Sequence, residues 1–254
     1  MSMPTHDPQL VSLLRTANHI AVLTGAGVSA ESGIPTFRDA MDGLWARYDP
    51  EELATPEAFD GDPVLVSHWY DERRCKVAAC RPNPGHEALA QLQATLIGDG
   101  RHMTLITQNV DRLHQAAGST DVIELHGSLW AWRCMDCGEE VEELGPAFST
   151  YPPRCHCGGK RRPGVVWFGE SLPASALLKA RKASGACQLF LSIGTSSVVY
   201  PAAGLIDFAL ANGAKVLEVN PQETPFSGRA HWSIRAASAS VLPQLFAAAL
   251  SHRP

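Results

Sequence analysis

The chain has 254 residues, with 21 Lys+Arg against 26 Asp+Glu for a formal net charge of −5, and 45% hydrophobic residues alongside 21 Gly and 18 Pro. That mixture excludes collagen-like, coiled-coil and disordered classes, and the length suits one large domain or one and a half with a real core. Mild acidity supplies no general field for nucleic acid, so direct nucleic-acid binding is not expected. No apolar run is long enough to span a bilayer, and Met1–Leu10 has neither a basic start nor an apolar stretch, so a cytoplasmic protein without a membrane partner is expected.

The first strand-like run is Ile20–Thr24, followed by Gly25-Ala-Gly27-Val-Ser29-Ala30, which reads G-x-G-x-x-A. In that pattern Gly25 permits a tight turn, Gly27 lets backbone N–H groups approach a pyrophosphate, and small Ala30 lets a following helix pack closely with its positive end at the phosphates. A dehydrogenase would place an acidic ribose ligand at the end of a second strand some 20 residues on. Here that region holds the loop Glu31-Ser-Gly-Ile-Pro35-Thr36-Phe37-Arg38-Asp39, with an aromatic ring and a guanidinium instead, which disfavours ordinary hydride transfer.

Residues 40–80 are rich in Trp, Pro and charge and read as helical; Gly85–Leu96 is helix-like. Met103–Thr107 then runs into Gln108-Asn109-Val-Asp111, and Val122–Leu125 into His126-Gly127. Further on, Leu189–Ile193 runs into Gly194-Thr195-Ser196, and Lys215–Val219 into Asn220, with helical stretches at Pro201–Asn212 and Leu242–Leu250. Short apolar strands alternating with helices predict an α/β fold with a parallel sheet covered on both faces. Ligands in such sheets sit at the carboxyl ends of the strands, and four of these runs end in amide, carboxylate, imidazole or hydroxyl groups. His126 follows an apolar run and precedes a glycine, and its ordinary pKa lies near neutrality, so it is the acid/base candidate.

Residues 130–165 carry little periodic pattern but hold Cys134-Met-Asp-Cys137 and Cys155-His156-Cys157, with 17 residues between the pairs. The chain's cysteine count is seven, an odd number that does not suit a secreted disulfide framework. Two close pairs point to a structural zinc site in a reducing compartment, four sulfurs leaving no position for water. The second pair is C-x-C, so His156 stays open as a substitute ligand.

These segments together resemble the sirtuins, NAD-dependent protein-lysine deacylases. The resemblance rests on Gly25–Arg38, Thr107-Gln-Asn-Val-Asp111, Glu124-Leu-His-Gly127, the four cysteines, Val165-Val-Trp-Phe-Gly-Glu170, Gly194-Thr-Ser196 and Val219-Asn220, all in family order. It implies a Rossmann-type doubly wound parallel sheet from residues 1–39, 81–129 and 166–254, with a smaller helical and zinc-binding module formed by two insertions, 40–80 and 130–165. It implies NAD as co-substrate, acyl-lysine proteins or peptides as substrates, and nicotinamide and O-acyl-ADP-ribose as products.

Residue by residue, the resemblance gives Gly25, Ala26, Gly27 and Ser29 to the pyrophosphate, with Ala30 and Thr36 in the same cofactor set. Arg38 orients the phosphates and ribose, and Phe37 shields the anomeric carbon. Gln108, Asn109 and Asp111 line the nicotinamide and ribose pocket, Asn109 and Arg38 acting with the base His126. Gly194, Thr195, Ser196 and Asn220 hold the adenosine half, and Ser238 lies by the adenine. Val165, Val166, Trp167 and Phe168 wall the acyl-lysine channel and pair with an extended peptide.

Tyr70-Asp-Glu-Arg73 resembles the Y-x-x-R signature of sirtuins that accept succinyl or malonyl lysine, with Ala54 as the small residue that widens the pocket. Residues i and i+3 share a helix face, and a buried acyl carboxylate needs a guanidinium fork and a hydroxyl donor. Arg74, the next residue, leaves the choice of arginine open. The alternatives are a sirtuin-like ADP-ribosyltransferase or NAD hydrolase, and a non-catalytic NAD-sensing zinc module.

Overall fold

A computed structural model of the chain describes residues 7–35 and 53–250. Thr36, Phe37 and Arg38 lie outside the described residues. The chain opens with helix α1 (Pro8–Thr16), capped by the Asp7 carboxylate, and enters strand β1 (His19–Thr24). Helices α2 (Pro56–Gly61), α3 (Pro63–Ala78) and α4 (Pro84–Gly98) follow, each begun by a proline behind a capping Thr55, Asp62 or Asn83. Then come β2 (His102–Thr107), a single turn α5 (Leu113–Ala116) and β3 (Ile123–Glu124). β4 (Gly127–Cys134), β5 (Glu140–Glu142) and β6 (Arg161–Val165) form the middle of the chain. The last part alternates α6 (Ala174–Ala186), β7 (Leu189–Ile193), α7 (Gly204–Ala211), β8 (Lys215–Val219), β9 (Trp232–Ile234) and α8 (Ser238–Leu250).

Six strands pair in the order β3-β2-β1-β7-β8-β9, with every pairing parallel. Counted within the sheet this is 3-2-1-4-5-6, the doubly wound order of dinucleotide-binding folds, with its switch point between β1 and β7. Alternate residues of β1 serve opposite faces. Ile20 and Val22 pack with Leu10, Leu89, Leu92 and Leu242 of α1, α4 and α8. Ala21 and Leu23 pack with Ala180, Ala183, Leu205 and Ile206 of α6 and α7. Burial on both faces explains why these strands read as unbroken apolar runs.

A second, antiparallel sheet has the order β5-β4-β6. A third apolar cluster, with Phe59, Val66, Trp69, Tyr70, Leu129, Trp132, Val165 and Trp167, joins this sheet to α2 and α3. Four features depart from the sequence reading. The glycine turn leads into two 3-10 turns, Ala26–Val28 and Ala30–Ser32, not a regular helix. Ala30 is exposed there, so close helix packing is not what it serves. The cysteine-bearing segment is a small sheet, and β9 extends the large one where no strand was expected.

Candidate active site

The turns after β1 and β7 interlock at the switch point. Gly25 N–H donates to Ile193 O (3.1 Å) and Gly27 N–H to Gly194 O (2.8 Å). A Cβ on Gly27 would stand 2.8 Å from both the Cα and the carbonyl oxygen of Gly194, and Gly194 has φ +60 with its own missing Cβ 2.4 Å from Val28 N. These glycines are therefore demanded by backbone meeting backbone. The Gly27 N–H is itself engaged within the protein.

Around this junction the polar strand ends form two hydrogen-bonded groups that adjoin where Gln108 meets Asn109. Ser29 Oγ donates to Asp111 Oδ2 (2.7 Å) and accepts from Asn109 Nδ2 (3.1 Å). Asn109 N–H donates to Thr107 Oγ1 (3.0 Å), Gln108 Nε2 to Thr195 Oγ1 (3.0 Å), and Asn220 Nδ2 to Thr195 O (3.0 Å). The structure thus brings Ser29, Gln108, Asn109, Asp111, Thr195 and Asn220, expected from separate motifs, together at the carboxyl ends of the strands. Gly25, Gly27 and Gly194 sit at its base, and Ala26 and Ser196 are half-buried neighbours. Ser238 is buried at the first residue of α8, its hydroxyl without a partner among the described residues.

His126 lies between β3 and β4, with Nδ1 3.0 Å from Gln108 O. That carbonyl can only accept, so Nδ1 carries the proton and Nε2 keeps its lone pair. Burial lowers the imidazole pKa below its ordinary value, against the opposing pull of the Gln108 carbonyl. Gly127 has φ +74, and a Cβ there would meet Gly164 O at 2.0 Å, so the glycine is needed for the crossing of β4 over β6.

On α3, Arg74 pairs with Asp71 and bonds the carbonyls of Glu143, Gly145 and Pro146. Arg74 is thus fully engaged with its own helix and with the loop of residues 143–146. Arg73, one residue round the helix, is the guanidinium whose charge is felt by both Tyr70 and Asp111. Burial pushes the Tyr70 phenol up to about 12, while Arg73 opposes the rise. Burial pulls Arg73 below its usual value, with Tyr70 and Asp111 opposing. Ala54, Tyr70, Val165 and Trp167 are buried in one cluster; Val166 is half-buried and Phe168 exposed. Val166 N–H donates to His126 O (2.9 Å) and Phe168 N–H to Ala54 O (2.8 Å), so this segment is tied to both His126 and Ala54. Arg162 holds it further, with two bonds to Glu170 (2.6 and 2.9 Å) and its guanidinium 3.4 Å from the Trp167 ring centre.

The Sγ atoms of Cys134, Cys137, Cys155 and Cys157 all lie within 4.8 Å of one another, with pairs at 3.5 and 3.7 Å. Four thiolates ~2.3 Å from a tetrahedral zinc lie ~3.8 Å apart, so the donor set fits that ion. The four sulfurs suffice, and His156 stands at the rim, 3.3 Å from Glu139 and largely exposed. Sequence reasoning missed His86, whose Nε2 reaches Ser29 Oγ (3.3 Å), and His114, whose Nε2 meets Thr24 Oγ1 (2.9 Å). The one available signal was Asn83-Pro-Gly-His86, a capping box in which His86 Nδ1 accepts from the Asn83 N–H.

Residues 25–201 match the model of the Sir2 family. The chain belongs to the Sir2 family. A relative from Methylococcus capsulatus, named NAD-dependent protein deacylase, is 50% identical over 97% of this chain and 98% of its own length. One of the same name from Aquifex aeolicus is 54% identical over 82% of this chain and 86% of its own. NAD-dependent protein deacylase 1 of Pseudomonas aeruginosa is 50% identical over 93% and 96%. Among solved Sir2 structures, a Sir2 homologue–NAD complex superposes with TM-score 0.90 at 44% identity, covering 97% of this chain and 94% of that one. A Sir2 protein with a deacetylated p53 peptide and 3′-O-acetyl-ADP-ribose gives TM-score 0.82 at 33% identity, over 94% and 96%.

Proposed function

We propose that this Sir2 protein is an NAD-dependent protein-lysine deacylase. The observation that carries the reading is the juxtaposition of the bonded trio Ser29, Asn109 and Asp111 with the adjoining Gln108–Thr195 pair and with a tautomer-fixed His126 held on the Gln108 carbonyl. In this reaction the acyl oxygen of a modified lysine attacks the anomeric carbon of NAD as nicotinamide leaves, and water completes release of lysine and O-acyl-ADP-ribose. His126 Nε2 takes a proton from a ribose hydroxyl, and burial keeps it neutral and ready. Gln108, Asn109 and Asp111 orient the nicotinamide ribose, while Gly194, Thr195, Ser196, Asn220 and Ser238 serve the adenosine half. Arg38 and Phe37 keep the roles the resemblance implies. His126→Ala should fold and lose deacylation by on the order of 10²–10⁴-fold; near-normal turnover would overturn the assignment.

The acyl groups in this reading are succinyl and malonyl as well as acetyl. Arg73 and Tyr70 receive the acyl carboxylate, and Ala54, Val165, Val166, Trp167 and Phe168 wall the lysine channel. Support comes from the convergence of Tyr70, Ala54 and Trp167 in one cluster and from Arg74 being committed elsewhere. Arg73→Met should lower kcat/KM for succinyl-lysine peptide roughly tenfold or more, the scale of a lost charge-assisted bond, and spare acetyl-lysine peptide. Equal rates on both peptides before and after the change would sink the acyl assignment.

Acylated proteins or peptides are the partners, with no direct nucleic-acid binding. Among the described residues no helix is long and apolar enough to cross a membrane, and a cytoplasmic location fits four cysteines held as thiolates for zinc. Residues 1–39, 81–129 and 166–254 carry the dinucleotide, and residues 40–80 and 130–165 form the smaller body.

A further inference from the structure

We propose that Asp71, Arg74 and Tyr151 form a clasp through which the cysteine module positions Arg73 and Tyr70, and so controls discrimination between carboxylated and plain acyl groups. This deepens the acyl reading above and rests on it. The side chains of Arg74 and Asp71 are 1% and 0% exposed. Asp71 Oδ1 accepts from Arg74 Nε (2.9 Å) and Nη2 (2.8 Å), while Oδ2 accepts from the Phe148 N–H (2.8 Å) and the Tyr151 hydroxyl (2.7 Å). The other Arg74 donors reach the carbonyls of Glu143 (3.1 Å), Gly145 (2.8 Å) and Pro146 (2.8 Å), and its guanidinium lies 5.4 Å from the Phe148 ring centre.

Every partner outside α3 therefore comes from residues 143–151, between β5 and the second cysteine pair. Stability alone does not demand such an arrangement, because a buried ion pair is often no better than apolar residues of the same volume. What it supplies is register. Directional bonds to successive carbonyls and an N–H resist both rotation of α3 about its axis and sliding along it. Tyr70 and Arg73 each precede a clasp residue, about 100° round the helix. Any rotation that the loop permits therefore displaces them from the acyl pocket.

Tyr151→Phe deletes one hydroxyl and leaves the ring in place against His68, 4.8 Å away. The test is steady-state kinetics of the full chain, its metal retained, on succinyl- and acetyl-lysine forms of one peptide. The clasp predicts a rise in KM for the succinyl peptide of roughly threefold to tenfold in Tyr151→Phe, a larger rise in Asp71→Asn, and an acetyl KM within about twofold of the parent. Parallel changes on both peptides, or none on either, would overturn it. If Asp71→Asn does not fold, Tyr151→Phe decides alone. A parent protein that removes no succinyl group overturns the acyl reading and the clasp with it. A succinyl-active parent whose variants keep its selectivity overturns the clasp only.

Discussion

At the scale of single residues, this protein sorts its histidines by burial. His126 keeps its Nε2 lone pair, and burial lowers its pKa, which places the acid limb of kcat/KM below the ordinary value of 6.5. Activity should rise with pH through that limb and be flat at neutrality; a limb above 6.5 would contradict the burial of the base. His86 and His114 lie deeper, their ring centres 4.8 Å apart. Burial takes His86 down to about 4, against the attraction of Asp111, and takes His114 down to about 3, helped by His86. Both are neutral in the folded protein and charge readily when unfolded, so their contribution is intact above pH 6.5 and is lost as pH falls toward 4 and 3. Each then costs up to about 1.4 kcal/mol per pH unit. Urea unfolding at pH 7.5, 6 and 5 should show this fall, and His114→Gln should flatten it. The sequence marks His126 by its place between an apolar run and a glycine, but nothing local marks His86 and His114 as core imidazoles; only neighbours far along the chain do that.

Among elements, the junction of the β1 and β7 turns carries the tightest constraint. Gly27→Ala would push a methyl group into Gly194, whose backbone cannot yield without disturbing β7. The cost should be about 1–3 kcal/mol in urea unfolding, the usual range for overpacking, with NAD binding by calorimetry weakened at least tenfold. A variant of parental stability and affinity would show that the two turns do not bear on each other. The large sheet was legible because its strands are buried on both sides and read as apolar runs. The small sheet was not. β6 is Arg161-Arg-Pro-Gly-Val165, an edge strand containing a proline and two buried arginines, one on Glu139 and one on Glu170. Its polar residues are paired by distant acids, which no local periodicity records. β9 escaped for a simpler reason, since three residues are too few to form a pattern.

Across the whole molecule, one ion-paired arginine joins the small sheet to the large one, and a cysteine cluster ties the small sheet to itself. Arg112, at φ 54, pairs with Glu124 of β3 (3.2 Å) and Glu142 of β5 (2.7 Å). The cysteine cluster secures the far end of β4 to the turn before β6. A zinc held there contributes folding energy directly, so a strong chelator under reducing conditions should lower the thermal midpoint, and added zinc should restore it. Hydrogen exchange should show protection lost first in β4, β5 and β6 while β1, β2 and β7 hold. Simultaneous loss across both sheets would mean that the protein unfolds as one unit.

The sequence by itself determined a parallel sheet covered on both faces, a glycine turn after its first strand, two close cysteine pairs and a candidate base, because each depends on local chemistry: apolar runs, missing Cβ atoms, close thiol pairs and an imidazole at a strand end. Tertiary structure alone decided which arginine of α3 is bound into the loop of residues 143–146, which histidines are core, and that the cysteine segment is a sheet. Those outcomes depend on hydrogen bonds and burial between residues as far apart as Asp71 and Tyr151, and spacing along a chain carries no information about such partners.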